Sequence, residues 1–201
     1  MSRGTAYDPV SIAFHWTIAA LFLGQMALGL SMERVKSMAL QFELIQWHKS
    51  FGFLILVLAS LRLGWRIAAG APAPDAGLGA VERRAAALVQ GALLALTLMV
   101  PAAGWALAST STLGIPSFAF NLVIVPPLPL TPSAPAEAFW RQAHKLLAYA
   151  ALALVAGHAA AALRHHLLLR DAVLARMLPG LSPRPAKPGD PQPSRRTSRD
   201  A

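Results

Sequence analysis

Residues 141–163 read RQAHKLLAYAALALVAGHAAAAL. The stretch is apolar, free of Asp and Glu, and long enough to cross a bilayer as a helix, which needs about 20 such residues. It contains two histidines, His144 and His158. Their separation of fourteen residues corresponds to about 21 Å along a helix and a rotation roughly 40° short of four turns. Both side chains therefore leave one face of the helix at two depths. Ionisable groups inside a membrane are costly and mark function by default. A single helix thus offers one side chain to each of two stacked sites.

Three more apolar runs precede this one, at about 10–32, 46–67 and 85–108. Asp8 followed by Pro9 suits the start of the first, as an N-cap acid before a proline at the first helical position. Pro101 lies near the end of the third, where it can kink the helix. Residues 113–130 are also apolar, but Pro116, Pro126, Pro127 and Pro129 rule out a helix there and predict an extended or re-entrant loop. The fold expected is all-α: an integral membrane four-helix bundle within residues 1–180. A basic, Pro-rich tail at 181–201 is expected to be disordered, after a short interfacial helix at about 170–178.

Composition agrees. Hydrophobic residues make up 55% of the 201 and charged residues only 13%, where soluble domains carry about 25%. The absence of cysteine excludes disulfides, iron–sulfur clusters and covalently attached c-type haem. The first apolar run is too long for the core of a cleavable signal peptide, and none is expected. The net charge of +9 lies between and beyond the apolar runs, so topology accounts for it and no nucleic-acid partner is expected. Of the 18 Lys and Arg, thirteen fall on the side of the two termini and the loop after the second run, and five on the other. The positive-inside rule then predicts both termini in the cytoplasm. Trp47, Trp105 and Trp140 fall near one interface and Trp16 and Trp65 near the other, as an aromatic belt.

Four histidines lie within the runs. His15 is six residues after Pro9 and His158 six before Arg164, so each is about 9 Å from its cytoplasmic helix end. His48 and His144 lie near the outer ends. Depth pairs His15 with His158 and His48 with His144. A low-spin b-type haem takes two axial imidazoles from opposite sides, so four histidines in two layers predict two haem b groups. Zinc or di-iron sites would need carboxylates or a tighter cluster. His165 and His166, beside Arg164, read as members of the positively charged interface. Haem propionates need cationic partners; Lys49, Arg62, Arg141 and Lys145 stand at suitable depths. Gly24, Gly52 and Gly157 would let a flat macrocycle approach. The third run lacks histidine, and its Gly91, Ala92 and Ala95 offer a small-residue packing face.

The chain resembles the prokaryotic cytochrome b561 family, related to the b-type cytochrome subunits of nickel–iron hydrogenases. The residues that carry the resemblance are Tyr7-Asp8, His15-Trp16, Trp47-His48-Lys49-Ser50, Gly104-Trp105, His144-Lys145, His158, and the stretch from His165-His166 to Arg176-Met177-Leu178-Pro179. They span roughly residues 5–180. The resemblance implies a multi-pass protein of the bacterial inner membrane with two haem b groups on the four histidines. It also implies electron exchange with ubiquinone, and in some members superoxide oxidation at the periplasmic face. The expected function is electron transfer between a membrane quinone and a second redox partner, an oxidoreductase role. Two alternatives stand beside it. One is a membrane-anchor subunit that takes electrons from a hydrogenase or periplasmic dehydrogenase docked on the Pro-rich loop. The other is a non-redox transporter whose histidines relay protons, which predicts no haem.

Overall fold

The computed structural model describes residues 7–70, 79–171 and 173–178. Four helices follow in order: α1 Pro9–Met32, α2 Met38–Ala69, α3 Ala80–Thr110 and α4 Ala134–Arg164. All four are long and apolar enough to cross a membrane. In neighbouring order, α1 packs on α2, α2 on α3 and α3 on α4. Each apolar window buries at most 11% of its residues within the protein. The remaining apolar surface faces outward, as a lipid solvent allows. The tail predicted to be disordered lies outside the described residues.

The helices run past the apolar stretches that announced them. Helix α2 begins eight residues before the second run, because Ser37 caps it by accepting a hydrogen bond from Leu40 N–H at 3.4 Å. Helix α4 begins seven residues early, capped by Ser133 with a proline in its first turn. At about 1.5 Å per residue these helices exceed a hydrocarbon core of about 30 Å and project beyond it. Helix α1 starts where Asp8 and Pro9 predict. Asp8 accepts from Ser11 N–H at 2.9 Å, Ser11 Oγ at 2.6 Å and Trp65 Nε1 at 3.1 Å. These bonds, that from the Ser11 hydroxyl foremost, hold its carboxyl below the usual carboxylate range. Their contribution to stability is present above the ordinary pKa of about 3.9 and is lost as pH falls through the lowered folded value.

The proline-bearing loop is not helical, as expected, but neither is it wholly irregular. Ser117–Ala119 (β1) pairs antiparallel with Val123–Val125 (β2). Phe120 and Asn121 both have positive φ, 53° and 56°, and Leu122 N–H donates to Ala119 C=O at 3.0 Å. These two left-handed residues and that bond make the tight turn inside a three-residue loop, since Ala119 pairs with Val123. The hairpin is a small addition to an otherwise all-helical fold. Gln46 and Ser50 of α2, both buried, pin it down. Gln46 donates to Pro116 C=O and accepts from Phe118 N–H, while Ser50 Oγ accepts from Phe120 N–H at 2.9 Å.

At the opposite end the chain does not form the short interfacial helix expected after Arg170. A π-helical turn at His165–Leu169 ends at Arg170, which adopts a left-handed conformation (φ 57°). His165 Nδ1 pairs with Asp171 at 2.5 Å, and Asp171 then caps Val173 N–H. The following turns lie across the base of the bundle. Trp16 Nε1 donates to Met177 C=O at 2.8 Å, and Arg176 sits 5.6 Å over the Tyr7 ring.

Candidate functional site

The interior faces of α1, α2 and α4 share one spacing. On α1, His15, Ile18, Phe22, Gln25 and Gly29 recur at intervals of three and four; on α2, so do His48, Gly52, Ile55, Ala59 and Arg62. On α4, His144, Ala151 and His158 are seven apart. A seven-residue period keeps one seam turned inward along the bundle. Ile18, Phe22, Ile55, Ala59 and Ala151 are buried on those seams. The histidines therefore stand in an apolar interior. Helix α4 makes its close backbone contacts with α3 and faces α1 and α2 at longer range.

Across that interval the rings meet in pairs. His15 and His158 have centroids 6.3 Å apart, with planes at 70°. His48 and His144 have centroids 6.1 Å apart, with planes at 88°. Two imidazoles on opposite sides of one metal, each nitrogen at about 2.0–2.1 Å and each ring centre about 1.1 Å behind it, have centroids roughly 6.2–6.4 Å apart. The separations match that requirement, so the residues fit a bis-imidazole haem iron at each level. Among the described residues no three His, Cys, Asp or Glu converge on a common point.

The pair at the hairpin end is asymmetric. His144 Nδ1 donates to Val100 C=O of α3 at 2.9 Å, which fixes its tautomer and leaves Nε2 unprotonated for a metal. Gly104 makes the approach possible, since a Cβ there would lie 3.1 Å from His144 Cε1 and 3.2 Å from Nδ1. Among the described residues, His48 Nδ1, beside Gly29, is buried without a hydrogen-bond partner. Gln25 Nε2 donates to the His48 carbonyl at 2.7 Å and steadies that turn of α2.

Sequence reading misassigned the glycines. Gly24 and Gly157 are exposed and face away from the histidine seams, and Gly91, Ala92 and Ala95 are exposed rather than packed. Of the three glycines expected to admit a macrocycle, Gly52 alone faces inward, against Gln25. The close-packed small residues of α3 are Ala103, Gly104 and Ala106, roughly two to four turns further along. Helix α3, which lacks histidine, thus supplies the acceptor that orients one. A backbone carbonyl has no signature in sequence; the nearest signal was the small-residue cluster after Pro101.

The candidate propionate partners divide. Arg62 lies within electrostatic range of both His15 and His158, and with Arg66, Tyr7, Ser11 and Met177 lines a small pocket at the end of the bundle where the chain termini emerge. Lys49 is half-buried beside His48, and Lys145 is exposed beside His144. Arg141 is paired with Glu137 at 2.5 Å, four residues before it, so its charge is locally offset.

A family profile described as prokaryotic cytochrome b561 matches residues 6–180. Cytochrome b561 homolog 2 of Escherichia coli (strain K12) is 30% identical over 173 residues, covering 86% of this chain and 90% of that protein. Cytochrome b562 of Cereibacter sphaeroides is 30% identical over 186 residues, covering 89% and 98%. The matched region takes in all four helices and both histidine pairs.

Proposed function

This chain belongs to the prokaryotic cytochrome b561 family, as a multi-pass membrane cytochrome b of electron transfer in the bacterial inner membrane, and from that we propose that it holds two haem b groups and moves electrons between a membrane quinone and a second redox partner. The observation that carries this reading is the pair of facing imidazoles at each of two levels, 6.1 and 6.3 Å apart. In the proposal His48 and His144 hold one haem toward the periplasm, and His15 and His158 hold the other toward the cytoplasm. Bound haem iron takes up and releases one electron at a time without needing an open coordination position. The protein's part is to fix the rings, exclude water and place charge. The Val100 carbonyl sets the His144 tautomer, the apolar seams keep the interior dry, and Arg62 and Lys49 supply cationic partners for propionates.

The test is anaerobic. Detergent-purified protein should contain two haem b per chain by pyridine haemochrome, and both should be reduced by a short-chain ubiquinol. Haem that dithionite reduces but ubiquinol leaves oxidised would remove the quinone from the reading.

Superoxide is a candidate electron donor, leaving as dioxygen after giving up one electron. Lys49 and Lys145 would steer such an anion toward the periplasmic pair. Because Arg141 is offset by Glu137, the steering role rests on those two lysines beside the ligands. Changing both to Gln should slow superoxide-driven haem reduction roughly tenfold and flatten its dependence on salt. An unchanged rate would end the steering role. The anchor-subunit reading has one structural support: the hairpin presents Leu122, Val123 and Ile124 outward, Leu122 at 85% exposure. Copurification of a periplasmic dehydrogenase or hydrogenase through that hairpin would favour it.

A further inference from the structure

Beside the hairpin, on the face of α2 turned away from His48, lies a cleft of about 310 Å³. Its walls include Phe42, Trp47 and Phe120, with Glu43 and Asn121 at its rim. Two of these rings pack with Phe51: Trp47 stacks on it at 5.9 Å, and Phe120 stands steeply inclined to Trp47 and Phe51, at 6.0 and 5.3 Å. The cleft is held in shape, since Gln46 and Ser50 in its floor tie the hairpin to α2. No Lys, Arg or His is among the residues that line it, and among the described residues none forms an ion pair with Glu43.

We infer that this cleft binds an organic ammonium group. An aromatic ring face attracts a cation, and a carboxylate beside it adds charge complementarity. Glu43 lies one turn beyond the apolar run of α2, at the membrane boundary, where an unpaired carboxylate gains most from a cation that also fills the apolar wall. The same position is where the headgroups of ammonium-bearing phospholipids lie. Anionic ligands are opposed by Glu43, and a purely apolar one would leave the carboxylate unpaired. The inference does not depend on which partner exchanges electrons with the protein.

The test uses the full chain in nanodiscs of mixed phosphatidylethanolamine and phosphatidylglycerol, with retained lipid counted by native mass spectrometry. Wild type should keep phosphatidylethanolamine in preference to phosphatidylglycerol. Glu43→Gln and Phe42→Ala should each weaken that retention roughly three- to thirtyfold while haem content stays at the wild-type level. A second arm titrates tetramethylammonium in detergent and reads tryptophan fluorescence. Glu43-dependent binding in both arms identifies a lipid headgroup as the source. Glu43-dependent binding of tetramethylammonium alone identifies a soluble amine. Retention that ignores the Glu43 and Phe42 changes, or that treats the two lipids alike, with no Glu43-dependent fluorescence response, overturns the inference.

Discussion

Replacing His158 by alanine is expected to lower haem content from two per chain to about one, and to leave the other haem with an unaltered low-spin spectrum. The expectation rests on distance. His158 and His144 share helix α4, but fourteen residues separate their sites by about 21 Å. Loss at one level should reach the other only weakly. Within a level the effect should be large. Removing only a partner that orients a metal ligand costs 10–100-fold in affinity, and removing the ligand itself costs more. His15→Ala should give the same spectrum as His158→Ala, because the two rings face each other at 6.3 Å. His48→Ala and His144→Ala should share a different one. Exogenous imidazole should restore the missing haem by filling the cavity left by the side chain. Four variants that fall into these two spectral classes would establish the pairing. A His158→Ala protein that keeps both haems with unchanged spectra would refute it.

The four spans could be read in the sequence because lipid imposes a length on apolar runs and forbids charge inside them. Neighbouring helix ends gave the histidine depths, and the structure brings together the rings of equal depth. What lies outside the lipid was harder to read. The second run reads from residue 46 because Gln41 and Glu43 break the apolar pattern before it, yet α2 starts at Met38, where a serine cap and good helix formers begin the helix. The hairpin was hidden by its prolines, which exclude helix but lie at 116 and 126, just outside the paired strands. Gln46 and Ser50 carry no sign in the sequence of a loop to bind, and only the folded loop gives them partners. At the base of α4 the spacing of Arg170 to Leu178 suited a helix. The His165–Asp171 pair and the bond from Trp16 to Met177 hold that segment in turns instead.

The role of α3 yields the second large effect. Gly104→Ala would set a methyl group 3.1–3.2 Å from the His144 ring, closer than carbon atoms comfortably approach. The ring must shift by some tenths of an ångström, and the 2.9 Å bond from Nδ1 to the Val100 carbonyl is what it loses. That bond makes the imidazole a stronger donor, so it favours oxidised iron. Weakening it should raise the midpoint potential of the haem at this level. A hydrogen bond worth about 0.5–1.5 kcal/mol sets the scale at about 20–65 mV for a one-electron centre. The haem held by His15 and His158 should not move. Gly104→Leu leaves no room for the ring to stay and should abolish binding at this level altogether. Gly91→Ala, on the same helix but with nothing within 4 Å of the added carbon, is the control for helix propensity and should change neither potential. Potentiometric titration of the three variants separates the possibilities. Equal shifts at both haems, or the same response from Gly91→Ala as from Gly104→Ala, would mean that the substitution acts on the bundle as a whole. A shift confined to one haem and one glycine would make the helix without a histidine the part of the fold that tunes the site.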